Sequence, residues 1–495
     1  MARFSPANLT SFGYLFPDLQ ENPEALLPRS RNTLRALDEL GALMVDTGSG
    51  NSSSIPAAYT YFGQFVDHDI VLEARSSEIA SISSLALEPL LLQRVLLEIK
   101  NTRSAFLDLD SVYGHPALRQ DRLLRLGEVS RAGATLAVPG TTFHDLFRQG
   151  RMPDDPEHDR EALIGDPRND ENLIVAQLHV AFLRAHNALV EERGMSFEEA
   201  RTTLRQHYQW IVIHDFLEKI ADPKIVEHTR AGNRIYQPRP EPFFLPLEFT
   251  AAAFRFGHSM VRNRYRHNVS FPEAELKELF SFTGRGGLKS RPDRLLPNEL
   301  PGVGFDTLPD AWIIDWSGFV GPDAQNKARK IDTLVAEPLL ELQGAMGRLL
   351  QEEPRLAVRN LRRGYLLRMP TGQAVARRLG FVPLTGEQIY EAVSSGQFRV
   401  LERAGLLERT PLWFYVLAEA KHHAEGNHLG PVGSTLVAEV LIGLVRRSTD
   451  SILAENEPWS PSLGSVEGRF DLPDLLRLAG VLPREQLPTP VPGET

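Results

Sequence analysis

The chain has 495 residues, 42% of them apolar and 24% charged, with 54 Lys and Arg against 64 Asp and Glu, a net charge of −10. That balance is ordinary for a folded protein and offers no basic field to attract nucleic acid or anionic lipid. The absence of cysteine excludes disulfides, thiolate catalysis, zinc–cysteine sites and iron–sulfur clusters, so any metal must be held by His, Asp, Glu, Met, Tyr or backbone oxygen.

The first eight residues lack the apolar core of a signal peptide. The most apolar early run, Ile82 to Leu97, is broken by Glu88, Pro89, Gln93 and Arg94. No transmembrane segment is therefore expected, and a cytoplasmic location is the default, with non-classical export left open. Apolar residues at three-to-four spacing predict helices near 86–100, 171–192, 197–220, 250–261, 334–351, 386–404 and 433–447. Strict alternation is rare, so the expected fold is mostly α with little sheet. Proline and glycine are spread along the whole chain, and long irregular connections are expected at 221–248, 268–312 and 406–432. With no evident boundary, the expectation is one large domain over 1–480, its core at about 55–450, followed by a proline-rich tail at 481–495.

Four clusters carry candidate chemistry. In Tyr61-Phe-Gly-Gln64-Phe-Val-Asp67-His68-Asp69, Gln64 and His68 stand one helical turn apart. The aromatic surround argues against a polar surface, because burying Asp-His-Asp is costly unless those groups bind something. In Ser104-Ala-Phe106-Leu-Asp108-Leu-Asp110, alternate oxygen-bearing residues suit either a hard cation or an Asx-rich turn. Gly165-Asp166-Pro167-Arg168 precedes Glu171 and a long apolar segment, with Pro167 placed to start a helix. Arg168 and Glu171 then read as neighbours on one face, and His179 and His186 as core histidines. In Phe254-Arg255-Phe256-Gly257-His258, the glycine would let a flat ligand approach the backbone. Asn360-Leu-Arg362-Arg363 reads by default as a solvated helix face.

Together and in this order, from about Tyr59 to Gly372, these motifs resemble the animal-type haem peroxidases of the peroxidase–cyclooxygenase superfamily. Phe-Gly-Gln-Phe-Val-Asp-His-Asp and Phe-Arg-Phe-Gly-His are the most specific of them. The resemblance implies His68 as the distal base, Arg168 as the distal arginine and Gln64 beside the anion and water site. It implies His258 as the iron ligand, with Asn360 accepting its other ring N–H. Asp67 and Glu171 match the positions of ester links to haem in mammalian members, and Arg255 and Arg363 match residues near the propionates. Asp69, Ser104, the Phe106 carbonyl, Asp108 and Asp110 match a calcium site. The implied cofactors are haem b or ester-linked haem, and Ca2+.

The implied activity is peroxide-dependent oxidation of small donors, phenols or halides, through a ferryl intermediate. Hydrogen peroxide and a small-molecule electron donor are the implied partners. A fatty-acid dioxygenase of the cyclooxygenase branch is the enzymatic alternative, although Arg255 stands where that branch has its radical-forming tyrosine. A haem-binding protein with little turnover is the other. Asn172 replaces the methionine of the sulfonium link, and Arg363-Gly364-Tyr365-Leu366 departs from the family's Arg-Asp-His-Gly. A bacterial-like member is the better analogy.

Overall fold

The computed structural model describes residues 10–46, 48, 51–75, 84, 87–130, 143–152, 154–155, 158–237, 243–284, 306–340, 353–453 and 459–483. Most of the helix expected at 334–351 and nearly all of the tail at 481–495 lie outside these residues. Helix dominates, as expected, and among the described residues the largest sheet has four short strands. In it Thr10–Gly13 runs parallel to Phe244–Pro246 (Ser11 opposite Phe244) and antiparallel to Ile99–Asn101, which in turn pairs with Glu73–Arg75.

Seven helices position the candidate site: α1 (Arg31–Ala42), α2 (Ala58–Ile70), α3 (Leu173–Arg193), α4 (Phe197–Ile211), α5 (Leu356–Leu366), α6 (Leu412–Ala424) and α7 (Pro431–Arg447). One contiguous core of buried side chains runs from Phe12 to Ala479. Helix α3 lies at its centre. Asn172 caps it by accepting from the Val175 N–H, and Gly194 ends it in the left-handed region at φ +71°. It is long and apolar enough to cross a membrane, but 94% of its most apolar window is buried inside the protein, which marks a central core helix.

Helix α2 is buried on nearly every face, polar residues included. Phe65 stacks on Phe182 of α3 with ring centroids 4.5 Å apart, and Tyr208 of α4 meets both rings edge-on. Such pairs contribute about 0.5–1.5 kcal/mol each beyond their burial. This wedge fixes the rotation of α2, and so the direction of every functional side chain on it.

Some expected boundaries shift. The 250–261 segment is a short helix, Leu247–Thr250, followed by a 3-10 coil, Ala253–Met260. The 386–404 segment is two helices, Gly386–Ala392 and Ser395–Arg403, because Ser394 starts a new capping box. The expected connections contain helices of their own. Pro223–Ala231 lies within 221–248, and α6 lies within 406–432. Helix α6 is buried on every face from Leu412 to Ala420, so that stretch carries no amphipathic period to announce it.

Candidate active site

His68 lies on α2, one turn after Gln64, and is almost wholly buried. Its Nδ1 is 2.8 Å from Asn169 Oδ1. Burial, reinforced by the Arg168 charge, lowers its pKa to about 3, so at neutral pH the ring is uncharged and one nitrogen keeps a lone pair. Gln64 Oε1 accepts from Asn172 Nδ2 at 3.1 Å. Asn172 therefore caps α3 and steadies Gln64 with the same side chain.

Pro167 does start a helical turn, but a short 3-10 one that precedes α3 and carries Arg168. Pro167–Asp170 forms a 3-10 turn, opened by Asp166, whose Oδ1 accepts from the Arg168 N–H. The expected neighbour on one face, Glu171, is replaced by Asp166 as the direct partner, with Nε–Oδ1 at 3.0 Å and Nη2–Oδ2 at 2.7 Å. Nη2 also donates to the backbone carbonyls of His68 and Val71. Those bonds tie the arginine to the helix that carries His68. Asp166 is fully buried and also receives Arg103, Nη2–Oδ2 2.6 Å. Burial alone would raise its carboxyl, but Arg168 and Arg103 overcome that and hold it far below the usual carboxylate range.

On the opposite side, His258 lies in the 3-10 coil that packs against α2, α6 and α7. A Cβ added at Gly257 would meet nothing within 4 Å, so open space borders the coil beside His258. Burial first, then the charges of Arg255 and Arg359, lowers the His258 pKa to about 3. Asn360 on α5 approaches it, with Nδ2 2.8 Å from Nδ1. The expectation that the amide accepts from this ring is not met. Asn360 Oδ1 is taken by Arg255 Nη1 at 2.8 Å, and a guanidinium can only donate. Trp413 of α6 donates from Nε1 to the Arg255 carbonyl at 3.2 Å.

Asp67 joins the two sides electrostatically. Burial raises its pKa, while the charges of Arg168, Arg255 and Arg363 oppose the rise. Residues scattered over three hundred positions of sequence therefore converge on one place. Arg363 is buried, contrary to the solvated face expected for 360–363, and is ion-paired with Glu73. Burial lowers its pKa to about 10. Arg362 is buried too and pairs with Asp38 of α1 at 2.5 Å. Helices α1 and α5 approach so closely that a Cβ at Gly41 would stand 2.8 Å from the Val358 backbone. Glu171 is near enough for its charge to act on Arg168, and its carbonyl accepts from Thr283 at 3.3 Å.

The second cluster assembles as well. Carboxylate oxygens of Asp69, Asp108 and Asp110 lie within 4.8 Å of one another. Ser104 Oγ donates to Asp108 at 2.8 Å, and Asp69 accepts from the Leu109 and Ser111 N–H groups. Ala105, Leu107 and Leu109 all have φ between +51° and +59°. Three left-handed non-glycine residues at alternate positions are a strained ring of backbone. Burial first, then the neighbouring Asp108, raises Asp69 to about 7. The Phe106 ring stacks on Phe243, with centroids 5.3 Å apart.

His186 is the core histidine expected, bonded to Tyr113 and to the Arg122 carbonyl. His179 is bonded at Nδ1 to Asn169, while its Nε2 has no partner among the described residues. Sequence reasoning missed Asn169, Arg103, Asn172 as a prop for Gln64, and Trp413. All lie within or beside quoted motifs except Trp413, and only the folded chain shows which way each side chain turns.

A family model described as animal haem peroxidase matches residues 95–282. A peroxidase-like protein of Margaritifera margaritifera is 27% identical over 41% of this chain and 31% of its own length. The chain thus spans about a third of that relative. Peroxidase A of Dictyostelium discoideum is similar in fold, with TM-score 0.58 and 16% identity, over 96% of this chain and 94% of that one. A fatty acid alpha-dioxygenase of Oryza sativa is also similar in fold, with TM-score 0.53 and 14% identity, over 89% of this chain and 76% of that one.

Proposed function

We propose that the chain, whose residues 95–282 match the animal haem peroxidase model, is a member of that family and a haem peroxidase using hydrogen peroxide to oxidise small donors such as phenols. The observation that carries this reading is the pairing of two uncharged histidines, His68 buried and His258 half-buried, on elements packed against each other and joined by the Asp67–arginine cluster.

The residues present fit haem. His258 is neutral, borders open space and is backed by an amide, which suits an iron ligand. With Nε2 on iron, Nδ1 would keep the proton, and the Asn360 amide would turn end for end to accept it. That turn would free Arg255 for a carboxylate, so Arg255 and Arg363 would hold the propionates. Asp67 and Glu171 would be the residues available for ester links. Bound haem would supply the redox centre at which peroxide is reduced and donors are oxidised.

The chain's own groups would handle the protons. His68 Nε2 would take the proton from the inner oxygen of peroxide and return it to the outer one, worth about 100- to 10,000-fold in rate. Arg168 cannot lose its proton, and Asp166 already holds it in place. Its Nη1, which none of the Asp166 or carbonyl bonds uses, would stabilise charge on the departing oxygen. Gln64, steadied by Asn172, would order water or a small anion beside His68; halide oxidation would take place there. Asp69, Ser104, Asp108, Asp110 and the Phe106 carbonyl would bind calcium. Three close carboxylates and strained backbone support that assignment. Bound there, the cation would pin α2 directly after His68.

The dioxygenase alternative is the weaker one, because Arg255 holds Asn360 at the position where a radical-forming tyrosine would be needed. Tyr265 is buried with Tyr61 and Phe319, and its hydroxyl accepts from the Arg262 N–H. Absorption spectra of the haem-supplied protein test the reading. The Soret band should shift within seconds of adding one equivalent of peroxide and return on adding a phenol, while His68→Ala should abolish the shift on that timescale. A Soret band indifferent to peroxide would leave a haem-binding protein or a dioxygenase. Peroxide turnover unchanged in His68→Ala would sink the mechanism.

A further inference from the structure

A buried amide lies between two histidines, and neither the Asp-x-Arg nor the Asp-His-Asp motif accounts for it. Asn169 Oδ1 is 2.8 Å from His68 Nδ1, and Asn169 Nδ2 is 3.0 Å from His179 Nδ1. Asn169 and His179 are fully buried and His68 nearly so, so water is not on hand to replace these bonds. The amide is held by its backbone. Its N–H donates to the Asp166 carbonyl at 3.0 Å, within the 3-10 turn that also carries Arg168. His179 comes from α3, and its ring meets Phe65 edge-on at 6.1 Å.

We propose that Asn169 is a positioning residue that keeps the His68 proton on Nδ1 and so leaves the Nε2 lone pair as the base. The proposal rests on the reading of His68 as the proton acceptor for peroxide. An amide has one accepting end and one donating end. With the NH2 spent on His179 Nδ1, only the oxygen is left for His68. An oxygen can only accept, so the His68 nitrogen facing it must carry the hydrogen. In the other tautomer Nε2 would carry the proton and could take none from peroxide. His179 completes the device from the far side. Accepting at Nδ1 puts its own proton on Nε2, the nitrogen that has no partner among the described residues. One 3-10 turn thereby sets both the tautomer of the base, through Asn169, and the place of the guanidinium, through Arg168.

The test compares Asn169→Leu, which removes both ends of the amide at similar volume, with Asn169→Asp, which keeps an oxygen for His68. In the haem-loaded protein, the second-order rate of the peroxide-induced Soret shift should fall about tenfold in Asn169→Leu, the worth of one buried hydrogen bond. It should stay within about twofold of wild type in Asn169→Asp. Cyanide affinity at fixed pH is a readout apart from turnover, since hydrogen cyanide must also give up a proton to bind, and it should follow the same order. A third measurement needs no variant of Asn169. The ring-nitrogen shifts of His68 in the full chain, assigned by their loss in His68→Gln, should report the Nδ1–H tautomer.

An Nε2–H tautomer in the wild-type chain overturns the proposal even if Asn169→Leu does not fold. Equal losses in the Leu and Asp variants overturn it as well, because the residue would then act by packing. A wild-type rate in Asn169→Leu, with His68→Ala inactive, overturns it while leaving His68 as the base. If His68→Ala itself keeps the wild-type rate, the base reading falls and the proposal with it.

Discussion

Replacing Asp166 by Asn should destabilise the protein by about 3 kcal/mol, and the size follows from what the carboxylate holds. It is fully buried and receives two guanidiniums: Arg103 through Nε at 3.1 Å and Nη2 at 2.6 Å, and Arg168 through Nε at 3.0 Å and Nη2 at 2.7 Å. Asparagine keeps one accepting oxygen but turns an NH2 toward donors. Breaking one side of a buried ion pair costs about 3–5 kcal/mol, because a charge is left without compensation. Two features place this case at the lower end. Arg103 retains Asp110 at 3.5 Å, and Arg168 keeps the His68 and Val71 carbonyls. A loss of that size is a large part of a typical stability of about 5–15 kcal/mol. The assay is denaturant unfolding of the full chain, read as a midpoint shift at unchanged slope. The double variant Asp166→Asn, Arg103→Met also removes one of the stranded charges, so it should cost less than the sum of the singles by more than about 1 kcal/mol. A loss under about 1 kcal/mol in Asp166→Asn, or strict additivity, would refute the argument that this carboxylate neutralises both arginines.

Asp166 also sets a pH dependence. Its folded pKa lies below the unfolded value near 4, so its contribution is present above about pH 4 and lost as pH falls below it. Unfolding midpoints between about pH 5 and 2 should therefore fall more steeply in wild type than in Asp166→Asn; parallel curves would contradict the assignment. Removing calcium with a chelator should lower the melting temperature by several degrees, with recovery on adding Ca2+ but not Mg2+, since the irregular oxygen set around Asp69, Asp108 and Asp110 suits the larger ion. An unchanged melting curve would reduce the cluster to an Asx-rich turn. Phe65→Ala should cost about 3–5 kcal/mol, because it removes the ring stacked on Phe182, and circular dichroism melting would measure it. A cost below about 1 kcal/mol would show that the aromatic wedge does not orient α2.

The residues that could be read from the sequence are those whose chemistry is local. Gln64 and His68 share a face because both stand on one helix, and Asp108 and Asp110 close on Asp69 through a single loop. What could not be read depends on partners far along the chain. Arg168 and Glu171 look like a pair by spacing. The fold gives the arginine to Asp166 instead, because Pro167 opens a 3-10 turn whose first N–H bonds are made by that aspartate. Arg362 and Arg363 look like a solvated face, and become buried only because Asp38 and Glu73 come to meet them from about 300 residues away. Helix α6 fails to announce itself for a related reason. Burial on all sides from Leu412 to Ala420 erases the polar stripe that a periodicity search needs, and its contribution, the Trp413 bond to Arg255, appears only after packing. The sequence therefore identifies the groups that would touch substrate or metal better than the groups that hold them. Asn169 illustrates the difference. It sits beside Arg168 in plain view, yet a side chain with one accepting and one donating end acquires a direction only when two histidines, 101 residues behind it and 10 ahead, close on it from either side.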